Sequence, residues 1–137
     1  MEQKTCEQRV NQHRDSRIED LQILWDAYCK GDDEEVEDLG NIFEYSLCFD
    51  YVPHDTFTDQ DQGYFRYQIS YGGPSEEFRF YCDADRHCYK VEFWLLDWFD
   101  GAGRTLYGTD EDLMMELWDW FSECGTVETV QNEALYG

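Results

Sequence analysis

Residues 64–71 read Tyr-Phe-Arg-Tyr-Gln-Ile-Ser-Tyr. Phe65, Tyr67, Ile69 and Tyr71 fall at every second position, with Arg66, Gln68 and Ser70 between them. A period of two sends these sets to opposite sides of an extended chain, so one face of a β-sheet meets the core and the other meets water. Residues 47–52, 77–82 and 88–96 have the composition of three further strands. Gly72-Gly73-Pro74-Ser75 and Asp83-Ala84-Asp85-Arg86 supply the turns between the last three, and residues 53–62 form a polar loop after the first. Consecutive strands joined by short turns predict an antiparallel, four-stranded β-meander.

The period lengthens on either side of this block. Val10, Arg14, Ile18, Leu21, Trp25 and Tyr28 share one helical face, which predicts a helix over residues 5–30 with Gly31 at its C-terminal cap. Val36, Leu39 and Phe43 form a narrower stripe, and Asp32 or Asp33 suits an N-cap, which predicts a short second helix over residues 33–45. Asp100-Gly101-Ala102-Gly103 reads as a break. A last helix begins at Thr109, where Asp112 three residues on completes a pattern resembling a capping box. Its apolar face holds Leu113, Met114, Leu117, Trp118 and Phe121, and Cys124-Gly125 ends it. Residues 126–137 read as a tail with a short extra strand at 127–130. The expected fold is one α+β domain over residues 1–137. Its antiparallel four-stranded sheet is flanked by two N-terminal helices and one C-terminal helix.

Charge sets the function class. Thirty-two Asp and Glu oppose ten Lys and Arg, a net charge of −22 in 137 residues. Small domains ordinarily carry a net charge of magnitude about 2–8. Such acidity often accompanies disorder, but disordered acidic chains lack aromatics. Here 5 Trp, 10 Tyr and 9 Phe supply a core, so the charge is a surface property of a folded domain. It is also uneven: residues 1–30 hold six acids and five bases, so nearly all of the excess lies beyond the first helix.

Motifs for chemistry are sparse. His13, His54 and His87 are the three histidines, and no nucleophile elbow, zincin helix or phosphate loop occurs. An enzyme is therefore not expected, nor a cofactor or metal. Asp97 and Asp100 are the best pair of carboxylates, Cys82, His87 and Cys88 the best soft-ligand group, and residues 59–63 the best calcium-loop fragment; each falls short of its pattern. Residues 1–17 are polar and no apolar run reaches the roughly 20 residues of a membrane span, which predicts a cytoplasmic protein. The six cysteines are then reduced thiols, with Cys82 and Cys88 the best-placed pair.

The acids themselves are the strongest site candidate. Asp32, Asp33, Glu34, Glu35, Glu37 and Asp38 crowd into seven residues. On the last helix Asp112, Glu116, Asp119 and Glu123 recur at spacings of four, three and four, which makes one carboxylate row. Neighbours in such a row stand roughly 5–6 Å apart at Cβ and repel, so helix stability does not explain it. Nucleic-acid phosphates repeat at a comparable density. Residues 93–99 read as a central strand buried on both faces, with a partly exposed aromatic patch as the alternative. Trp118 and Trp120 lie about 200° apart around a helix, so both cannot face one core. Trp120 is the better candidate for an exposed partner contact.

In size, acidity, lack of catalytic motifs and compact α+β pattern, the chain resembles small acidic anti-CRISPR and anti-restriction proteins of phages and mobile elements. Residues 63–81, continued by 94–102, are similar to uncharacterised proteins of such elements. The resemblance implies a non-enzymatic inhibitor whose partner is a basic nucleic-acid-binding protein or complex of the host, a CRISPR effector or a restriction enzyme. It implies contact with no nucleic acid directly and with no membrane. The same charge logic fits an immunity or antitoxin protein for a basic toxin such as a nuclease.

Overall fold

A computed structural model describes residues 4–31, 36, 38–58 and 60–137. The chain runs α1 (Cys6–Cys29), β1 (Cys48–Val52), β2 (Tyr64–Ser70), β3 (Ser75–Cys82), β4 (Cys88–Asp97), β5 (Asp100–Thr105), α2 (Gly108–Glu123) and α3 (Thr126–Tyr136). The five strands lie in sequence order in one antiparallel sheet. The fold is α+β, as the pattern of periods predicts, with one strand more than expected and the helices differently distributed.

The alternation in β2 is realised from residue 65 to residue 70, while Tyr71, read on the same apolar face, lies past the strand and is exposed. Phe65, Tyr67 and Ile69 are buried, and Arg66, Gln68 and Ser70 lie on the opposite face. Phe78 and Phe80 of β3, and Val91, Phe93 and Leu95 of β4, extend the apolar face. Helix α1 crosses β4 and β5, while α2 and α3 complete the cover over β4 and β1. Thr5 caps α1 reciprocally with Gln8, and Gly31, at φ 77°, ends it as expected.

Four expectations change. First, β5 occupies the segment read as a break. Its glycines are there for packing: a Cβ on Gly103 would stand 2.3 Å from Trp94 Cε2, and one on Gly101 2.9 Å from Leu96 Cδ2. Trp94 and Leu96 lie across these positions where side chains of β5 would otherwise stand.

Second, the helix expected at 33–45 is absent from its described part. Residues 36 and 38–45 form turns and a single bridge between Val36 and Gly40. Asp38 and Gly40 adopt φ of 70° and 80°, and the Asn41 side chain accepts the Phe43 and Glu44 N–H groups. The asparagine thus satisfies locally the donors that a helix would have used. Third, residues 126–136 are helix α3, not a tail with a short strand at 127–130. Val127 and Val130 stand one helical turn apart against the body, and Gly125, at φ 78°, turns the chain between α2 and α3.

Fourth, the capping box at Thr109 does not form. Helix α2 begins one residue earlier, at Gly108, after Tyr107, with no side-chain cap. Asp110 and Glu111 instead complement the positive end of the helix.

Candidate functional site

Helix α2 carries an inward and an outward face. Leu113, Met114, Leu117 and Trp118 are buried. Trp118 stacks on Phe80 with ring centroids 5.3 Å apart, and its Nε1–H donates to the Arg86 carbonyl at 3.3 Å. The opposite face is the carboxylate row. Asp112, Glu116, Asp119 and Glu123 are all exposed, and none forms an ion pair with a basic side chain among the described residues. The scarce cations are committed elsewhere: Arg9 to Asp97, Arg17 to Glu76, Arg66 to Asp50, Arg79 to Glu77 and Arg104 to Glu7.

Trp120 is not the free contact expected from its helical angle. It is half-buried at the centre of an aromatic cluster that joins α1 to α2. Its ring centroid lies 5.4 Å from Trp25, 5.1 Å from Tyr28, 5.4 Å from Phe43 and 5.4 Å from Phe121. The helical angle shows correctly that Trp118 and Trp120 part company. It does not show that α1 supplies a second apolar surface to receive Trp120. Trp25 Nε1–H also donates to Glu116 Oε2 at 2.9 Å, which holds one member of the row in place. Asp119, Trp120 and Glu123 then share an open cleft with Asp26 and Tyr28 of α1. Asp26 is the acid that spacing on a single helix could not reveal, because it joins the row across two helices.

The second acidic candidate is only partly located. Asp38 is exposed in the turn that precedes Ile42 and Phe43. Asp32, Asp33, Glu34, Glu35 and Glu37 lie outside the described residues.

The remaining candidates are structural or dispersed. Asp97 and Asp100 are cross-strand partners at the β4–β5 turn. Asp97 pairs with Arg9 at 2.6 Å, and Asp100 Oδ2 accepts the Cys6 N–H at 2.7 Å. That bond holds the Asp100 carboxyl below the ordinary aspartate range. Cys82 and Cys88 face one another across β3 and β4 as free thiols, and burial pushes the Cys88 thiol up to about 12. His87 does not join them. Asp83, Asp85 and His87 instead bring one ligand atom each within 4.8 Å of one another on the exposed turn. Asp83 Oδ1 already accepts the Asp85 and His87 N–H groups there. The calcium-loop fragment includes Asp59, outside the described residues. The segment 93–99 divides: Phe93 and Leu95 are core, Trp94 and Leu96 lie on the open sheet face, and Trp98 and Phe99 are fully exposed.

That open sheet face carries a second cleft, which the sequence pattern did not announce. Glu77 is buried there and takes the Arg79 Nε–H at 2.7 Å. The Arg79 guanidinium lies between the Tyr64 and Trp94 rings, 4.6 and 4.3 Å from their centroids. This pair is internally neutral.

No protein-family model matches the chain, and no curated protein or solved structure matches it. Among the described residues, no helix is long and apolar enough to cross a membrane.

Proposed function

We propose that the protein is a non-enzymatic inhibitor that occupies the nucleic-acid groove of a basic host-defence protein, a CRISPR effector complex or a restriction enzyme, as an acidic mimic of the DNA backbone. One observation carries this reading. The row Asp112, Glu116, Asp119 and Glu123 is exposed on a helix anchored to the core, and no cation neutralises it among the described residues. A rigid row of unpaired carboxylates spends folding stability on repulsion, and a groove lined with Lys and Arg recovers that loss on binding. The excess of −22 over the whole chain steers the encounter over long range. Asp26 and the Trp25–Trp120 cluster give the row an apolar margin, the combination that anchors protein interfaces.

Competition with duplex DNA for isolated effector complexes and restriction enzymes tests the reading. The wild-type protein displaces DNA, with an apparent affinity that falls steeply as salt rises. Reversing all four carboxylates of the row to Lys abolishes displacement while circular dichroism stays unchanged. A reversed protein that competes as well as wild type overturns mimicry by this helix. Protection of cells from a basic nuclease toxin, without displacement of DNA from any defence complex, favours the immunity-protein alternative.

A further inference from the structure

The largest fully exposed side chains of the described residues stand together at the β4–β5 turn. Trp98 is 92% exposed and Phe99 103%. Trp98 also holds a left-handed backbone, φ 58°. That conformation is an outlier for a bulky residue, and Gly or Asn would make the turn without it. Stability of the fold therefore does not account for an indole here. The turn is held firmly at its base. Arg9 grips Asp97, and the Cys6 N–H binds Asp100, so α1 fixes both flanking positions. The β2–β3 turn opens at the same end of the sheet, because Ser70 pairs with Glu76 and Ser75 with Leu96. Tyr71, 79% exposed, stands at that end of the sheet as well.

Trp98 and Phe99 form one wall of a cleft whose other walls are Lys4, Thr5, Arg9, Asp97 and Asp100. Among the described residues that line it, two cations and two carboxylates balance, in a molecule whose net charge is −22. Two copies of such a molecule approach at least electrostatic cost where the local charge cancels. A two-fold interface uses one patch twice, so it needs a protrusion and a recess side by side. The tip is the protrusion and the cleft along its side is the recess; Arg9 is held by Asp97, which leaves Lys4 to offer a cation to ring faces.

We propose that this patch pairs two copies of the chain, with Trp98 and Phe99 of each seated in the Lys4–Arg9 cleft of the other. A large aromatic buries about 150–250 Å², so four rings bury roughly 600–1,000 Å². The cleft walls that they cover add to this area, toward the ≈ 1,000 Å² that a specific interface needs. Nucleic acid and anionic membrane are repelled by the rest of the molecule. The pairing does not depend on the inhibitor reading.

Sedimentation equilibrium of the full chain tests it across protein and sodium chloride concentrations. The mass rises from 16.4 kDa toward twice that value with concentration. Association strengthens with salt, because the Debye length shrinks from about 10 Å at 0.1 M to about 3 Å at 1 M and screens the repulsion between the acidic bodies. A contact with a basic partner would weaken instead. The double variant Trp98→Gly, Phe99→Ser remains at the monomer mass, with a Tm equal to or above wild type when both are compared at a concentration where wild type is monomeric. Lys4→Glu weakens pairing at low salt and recovers it at high salt. A wild-type protein that stays monomeric at molar salt overturns the proposal. So does a double variant that pairs like wild type, or a Lys4→Glu protein whose pairing is unchanged at low salt.

Discussion

Glu76 shows how this chain keeps a carboxylate inside. Its side chain is buried at the end of the sheet, where Arg17 Nη2–H donates to Oε1 at 2.7 Å and Nε–H to Oε2 at 3.0 Å. The Ser70 hydroxyl donates at 2.9 Å and His13 Nδ1–H at 3.0 Å. Burial alone would raise this carboxyl's pKa, but the bonds from Arg17, His13 and Ser70 outweigh it and the net shift is downward. A depressed carboxyl contributes stability above its unfolded pKa of about 4.3 and loses that contribution as pH falls through the lower folded value. Glu76→Gln is expected to cost about 1.5–3 kcal/mol at neutral pH. Its deficit against wild type should close in acid, as read by urea titrations at a series of pH values. Gly103→Ala tests the packing of β5. The added methyl meets the Trp94 ring at 2.3 Å, so a loss of about 1–3 kcal/mol is expected in chemical denaturation. Neither residue announces its role in the sequence. Glu76 lies between a turn and a strand with no pattern of its own, and Gly103 reads as part of a break, because the partner of each lies on a distant part of the chain.

Helix α2 is the element in which stability and proposed function pull apart. Its last turn holds no basic residue, so Glu123 faces the negative end of the helix unopposed. Glu123→Lys should stabilise the protein by about 0.3–1 kcal/mol, measured as a raised Tm at low salt, while weakening displacement of DNA from the proposed defence complex. A purely structural helix would show the first effect without the second. The row was legible from spacing because a straight helix turns periodicity directly into a face. The described part of the expected second helix is not helical for the converse reason. Its stripe of Val36, Leu39 and Phe43 was narrow, and Asn41 and Gly40 offered the backbone a local alternative. Residues 126–137 read as a tail with a short strand at 127–130, and the β-branched Val127 and Val130 favour an extended chain. Packing against the body overrides that propensity.

For the whole molecule, the charge of −22 opposes compaction and the aromatic core holds the chain together against it. Thermal stability should therefore rise as sodium chloride screens the surface, read by scanning calorimetry from low to molar salt, whereas a surface of balanced pairs would lose stability. The sequence alone determined the sheet's inner face, the long first helix, the acidic row and the folded state of so acidic a chain. These are properties of local period and composition, and each is carried by neighbouring residues. The tertiary structure alone decided that β5 pairs with β4 through two glycines and that Trp120 is covered by α1. It also decided that Asp26 joins the row and that Trp98 and Phe99 stand free at a turn. These depend on contacts between segments far apart in the chain, which no local period encodes.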